Sequence, residues 1–179
     1  MLNLVRRFRE WQEREKARYE EENRRCREAS RKWETEIKPL PIEEAKRRAE
    51  ALLADPARFV CRTSPISHLE RPKMDRLAPQ LREFFERYSE VRPVDDAGER
   101  LERSSLGSDP VITDDRKLSD QFLTVGWMGE ENQLIVKHGE DTIRTWGPRD
   151  EGEDYPSVYH LLLDLDNWRI ELDSDRTPR

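Results

Sequence analysis

Three histidines, two cysteines and several adjacent carboxylates are the residues of this 179-residue chain that could bind a metal, move a proton or attack a substrate. His68, His138 and His160 stand 70 and 22 residues apart, with none of the HxxxH or HExxH spacing that places two imidazoles on one zinc ion. They read as surface histidines. Cys26 and Cys61 occur in unrelated contexts, which argues against a disulfide framework or a cysteine-rich zinc site and makes both free thiols. The pairs Asp95 and Asp96, Asp114 and Asp115, and Glu140 and Asp141 offer oxygens to a hard cation. Adjacent residues in a strand or turn point apart, however, and no spaced Asp/Asn/Gly calcium loop is present. Nor is there a phosphate loop, a paired-glycine dinucleotide fingerprint or a nucleophile elbow. The chemistry points away from an enzyme, and from any cofactor or metal.

What the carboxylates can do together is make a field. Glu130, Glu131, Glu140, Asp141, Asp150, Glu151, Glu153 and Asp154 cluster around Trp146. Placed on linked hairpin turns and the adjoining loop, they are expected to form an acidic rim at one end of a sheet. Such a rim would speed association with a basic protein and bias the choice of partner, or else simply keep the domain in solution. Trp146 is either an anchor within that rim or a core residue; Trp127 reads as core.

The elements that must position these residues follow from periodicity. In "FLTVGWMGEENQLIVKHGEDTIRTWG", residues 122–147, Leu123, Val125 and Trp127 alternate with Phe122, Thr124 and Gly126, and the same alternation recurs around Leu134 and Val136 and around Ile143 and Thr145. The glycine-containing links "MGEEN" and "HGED" predict an antiparallel meander of three strands. "RFVCRT" at 58–63 is also strand-like. "MDRLAPQLREFFERYSEV" sets Leu77, Leu81, Phe84, Phe85 and Tyr88 on one helical face. After the acidic loop "GPRDEGED", Ser157 opens a helix carrying Val158, Leu161, Leu162 and Leu165 that should cover the sheet. The predicted class is α+β, an antiparallel β-sheet meander packed by helices with a long N-terminal helical extension.

That extension differs in composition. Residues 1–54 hold 15 Lys and Arg against 12 Asp and Glu, leaving 18 against 27 for the rest, and no glycine precedes Gly98. Leu4, Phe8, Trp11, Tyr19, Cys26, Trp33 and Ile37 track one face of a helix that Pro39 and Pro41 stop. A helix of about 35 residues is about 50 Å long, so it must project, pair or fray. A second helix opens at Pro41 and carries Ala45, Ala49, Leu52 and Leu53. The expected division is residues 1–40, a charged helix serving as extension or assembly element, and residues 41–179, the α+β domain. Removal of residues 1–37 is expected to leave the remainder cooperatively folded. No stretch is apolar enough for a membrane span or a secretory signal, which predicts a cytoplasmic protein with no membrane contact. The net charge of −6, concentrated in the second part, would repel phosphates and disfavours nucleic acid as a partner.

The order of "LREFFERYSEV", "FLTVGWMGEENQLIVKHGEDTIRTWGP", an acidic loop and "YPSVYHLLLDL" resembles the SUKH superfamily, which groups bacterial toxin-immunity proteins with fungal cell-wall synthesis regulators of the Smi/Knr type. The likeness covers residues 58–168 and rests on Leu77, Pro79, Leu81, Phe84 and Tyr88, then Gly126, Trp146, Ser157, Leu161 and Leu162. The glycine-rich turn often found after the first of these helices is replaced by Ser89 and Glu90, and residues 1–37 have no place in the pattern. The resemblance implies a non-enzymatic protein-binding module, an immunity protein that binds and neutralises a cognate toxin through an acidic surface, with a basic toxin domain as partner. The alternative is a scaffold or regulatory protein that assembles, or self-associates, through residues 1–37.

Overall fold

The computed structural model describes residues 2–65, 71–94, 104–107, 121–128, 132–147 and 152–168. Helix α1, Leu2–Lys32, is built from strong helix formers without glycine or proline. Ion pairs one turn apart, such as Arg6 with Glu10 at 2.8 Å and Arg24 with Glu28 at 2.9 Å, each add a few tenths of a kcal/mol. A π-helical turn, Trp33–Ile37, continues it. One face changes environment along this length: Phe8, Trp11 and Tyr19 are exposed, whereas Ala29, Trp33 and Ile37 are buried. The core therefore reaches back across the expected division at residue 40. Trp33 lies 5.0 Å from the ring of Tyr155, and the Asn167 amide donates to the Ala29 carbonyl at 3.0 Å.

Helix α2, Ile42–Leu53, starts directly after Pro41, carries Glu43 and Glu44 at its positive end, and buries Ala45, Ala49 and Leu53. The segment expected as a helix from Met74 onward is helical only in α4, Pro79–Arg87; Met74 itself ends a separate short helix, α3, Arg71–Met74. Proline forces its predecessor to extend, and Ala78 has φ −61° and ψ 153°. Leu81, Phe84 and Phe85 of α4 are buried, with Phe84 against Phe85, Tyr88 and Tyr159. The residues expected to end that helix form a strand instead.

Among the described residues, seven strands make one sheet: β1 Phe59–Arg62, β2 Glu90–Pro93, β3 Ser104–Gly107, β4 Phe122–Met128, β5 Asn132–Lys137, β6 Ile143–Trp146 and β7 Asp154–Tyr155. They lie in sequence order, each antiparallel to the next. Leu123, Val136, Ile143 and Tyr155 align across β4 to β7 on the core face. In β4, Thr124 pairs with Ile135 but Gly126 pairs with Leu134, so Val125 is the extra residue of a β-bulge. A bulge advances one strand by a residue and reverses which face follows. Trp127 consequently faces away from Leu123 and is 40% exposed, where simple alternation had placed it in the core.

Helix α5, Val158–Asn167, opens at the Ser157 cap and packs against α2, the π-helical turn and β7. Covered on more than its sheet side, it has almost no solvent face. His160, expected at the surface, is fully buried. Among the described residues, no helix is long and apolar enough to cross a membrane.

Candidate functional site

Successive turns of a meander leave the sheet at alternate ends. The β4–β5 link closes at Met128 and Asn132, and the chain leaves β6 at Trp146 on that same end. The β5–β6 turn, with Glu140 and Asp141, lies at the other, about 17 Å away along β5. Among the described acids, Glu140 and Asp154 come together on Arg144, 3.2 Å from the one and 3.4 Å from the other. Glu130, Glu131, Asp150 and Glu151 lie outside the described residues; Glu140, Asp141, Trp146, Glu153 and Asp154 are within them.

At the β5–β6 end the acids are engaged. Gly139, at φ 75°, makes the turn, and its amide donates to the Arg76 carbonyl at 3.0 Å. Glu140 meets Lys137 at 3.1 Å and Arg144 at 3.2 Å, and the hydrogen bond from Lys137 holds its carboxyl below the ordinary value. Arg144 also reaches Asp154, 3.4 Å away on the adjacent strand β7. Asp141 does something different. Burial pushes its carboxyl upward, opposed by a hydrogen bond from the backbone of Leu81 in the first turn of α4. The Asp141 Oδ1 is buried without a hydrogen-bond partner among the described residues.

The opposite end carries two tryptophans. Trp127, Gln133 and Trp146 are paired residue by residue across β4, β5 and β6, which sets them in one row on the face turned away from Leu123. The two indoles stand two strand spacings, about 10 Å, apart. Trp127 is exposed and Trp146 half-buried. Thr124 donates to the Gln133 side-chain carbonyl at 3.4 Å, fixing the amide between them. The Glu153 amide donates to the Thr145 hydroxyl at 2.8 Å and the Thr145 amide to the Glu153 carbonyl at 3.1 Å, which anchors the acidic segment leaving Trp146 as it returns to the sheet.

A second polar constellation lies inside the core and carried no signal in the sequence beyond the Ser157 cap. Ser157 is 2.8 Å from His160 Nδ1, and His160 Nε2 is 3.0 Å from the Leu40 carbonyl. A carbonyl only accepts, so the imidazole proton sits on Nε2 and the Ser157 hydroxyl donates to Nδ1. The pairing has the residue types of a nucleophilic dyad, but both side chains are fully buried and no substrate reaches them. Nearby, Tyr155 donates to Asp164 at 3.1 Å and Asn167 to the same carboxylate at 3.4 Å. Burial raises the Asp164 carboxyl to about 7, and desolvation raises the Tyr155 hydroxyl as well. These groups fasten α5 to the segment running from Ala29 to Leu40. Among the described residues, no group of three or more His, Cys, Asp or Glu side chains is arranged to hold a metal ion. Comparison with family models, curated proteins and solved structures finds no match to this chain.

Proposed function

We propose that this protein is a non-enzymatic binding module that captures a basic protein at the Trp127–Gln133–Trp146 end of its sheet, and that it serves as an immunity protein by covering the phosphate-holding surface of a toxin domain. The single observation behind this reading is the exposure of Trp127 beside Trp146. A large aromatic residue turned out of the core by a β-bulge sits in the same row as a second one. Aromatic anchors of this kind dominate the energetics of protein interfaces. Acidic residues follow each in sequence: Glu130 and Glu131 after Trp127, Asp150 and Glu151 after Trp146. A basic surface arriving at the two indoles would be drawn by the carboxylates that follow them in the chain.

The experiment uses a partner recovered by co-purification. Trp127→Ala is expected to weaken the complex by about 30-fold or more, the scale of a hot-spot residue, while leaving the melting temperature within a few degrees because the indole is already exposed. Charge reversal at Glu130, Glu131, Asp150 and Glu151 should slow association at low salt, and added salt should bring the unmodified protein towards the variant, since exposed charges are screened over about 8 Å. Wild-type affinity in Trp127→Ala would remove this surface from the interface. Equal association rates at low salt would remove the steering.

A further inference from the structure

The exposed aromatics of α1 are not an isolated patch. Phe8, Trp11 and Tyr19, 57%, 50% and 67% exposed, lie on the stripe that continues by three- and four-residue steps through Cys26 to the buried Ala29 and Trp33. The face that packs into the core at one end of the helix runs on uncovered for most of the rest. Two carboxylates, Glu15 and Glu22, interrupt it, both paired with Arg18 at 2.9 and 3.5 Å. Along one flank, spaced by seven, four and seven residues, run Arg7, Arg14, Arg18 and Arg25.

These positions are complementary to themselves under a two-fold rotation. An antiparallel copy centred between residues 14 and 15 sets Arg7 opposite Glu22 and Arg14 opposite Glu15, with Trp11 against Arg18 and its neighbour Tyr19. A parallel copy would set Glu15 and Glu22 against themselves. We propose that the protein is an antiparallel dimer in which α1 of each chain covers the aromatic stripe of the other. The overlap, residues 4–25, is about 33 Å long and ends before the buried Ala29. Six aromatic rings, each half or more exposed in the single chain, supply on the order of 600 Å², and the arginine stems and remaining stripe bring the pair towards the ~1,200 Å² of a specific interface. This inference is independent of the tryptophan surface, which lies on the sheet.

The test is sedimentation equilibrium of the full chain from low micromolar to sub-millimolar concentration, with helicity followed by circular dichroism. The unmodified protein is expected to dimerise. Trp11→Glu should weaken the dimer by about tenfold or more. Arg7→Glu and Glu22→Arg should each weaken it about three- to tenfold, because each ion pair occurs twice. The double variant Arg7→Glu/Glu22→Arg should return to within about threefold of the unmodified protein. Positions 7 and 22 are four helical turns apart and cannot meet within one chain, so this rescue reports pairing between chains. A protein that stays monomeric throughout, a dimer indifferent to Trp11→Glu, or a double variant weaker than either single one would each overturn the proposal.

Discussion

His160 and Asp164 lie one turn apart on α5, both buried, and pH acts on them in opposite directions. Asp164 has its folded value raised to about 7 from an ordinary 3.8, chiefly by burial, with the bonds from Asn167 and Tyr155 pulling it back. Its contribution is fully present below 3.8 and is lost as pH rises through about 7, on the order of 2–4 kcal/mol in all. Asp164→Asn, which keeps an oxygen for Tyr155 and cannot ionise, should abolish that decline and be the more stable protein above pH 8 in urea melts. His160 is lowered from 6.5, first by burial, against the bond to the Leu40 carbonyl. Its contribution is present above 6.5 and is lost as pH falls below it. His160→Gln should flatten this acid limb, because a glutamine amide can still donate to Leu40, at a cost of about 1 kcal/mol near neutrality for the lost bond to Ser157. The Ser157 cap was legible in the sequence, whereas the burial of His160 and Asp164 was not. "HLLLDLD" gives no sign that a helix is covered on more than one side.

The strongly periodic elements could be read, and those defined by their neighbours could not. α2, α5 and β4 to β6 carry clear apolar repeats, while β2 is "EVRP" and β3 is "SSLG", short polar runs that are strands because Val91 pairs with Leu106 and Leu106 with Gly126. Trp127 was misplaced because a bulge leaves no mark on alternation. Gly107 shows how tightly β3 is seated: it adopts φ 67°, and a Cβ there would run into the Ser89 carbonyl. Gly107→Ala should cost about 1–3 kcal/mol in denaturant melts. The N-terminal helix likewise divides by packing rather than by composition. Deleting residues 1–25 should leave the melting of the core nearly unchanged. Deletion through Ile37 removes Trp33 and Ile37, worth about 1.5–3 kcal/mol each in burial, together with the Ala29–Asn167 bond. That loss is comparable to the whole margin of about 5–15 kcal/mol for a domain, so the cooperative transition should be lost or fall far in temperature.

Across the whole molecule, the α+β class and the charge contrast between its parts were readable from composition, but the distribution of charge was not. Of the acids expected in one rim, Glu140 and Asp154 share Arg144, while Glu130, Glu131, Asp150 and Glu151 lie outside the described residues. The same meander has a consequence in time. Among the described residues each strand pairs only with its sequence neighbour, whereas the bonds of α5 reach back 120 residues from His160 to Leu40 and 138 from Asn167 to Ala29. Local pairings close small loops and form early; distant ones wait. On the ribosome, Trp33, Ile37, Ala45 and Ala49 therefore emerge long before the helix that covers them, and the nascent chain carries an open apolar seam until α5 clears the exit tunnel. In refolding of the complete chain, docking of α5 should follow the transition state. Leu161→Ala is then expected to accelerate unfolding far more than it slows folding in a stopped-flow chevron, and a slowing of folding that accounts for most of its destabilisation would place α5 in the nucleus instead.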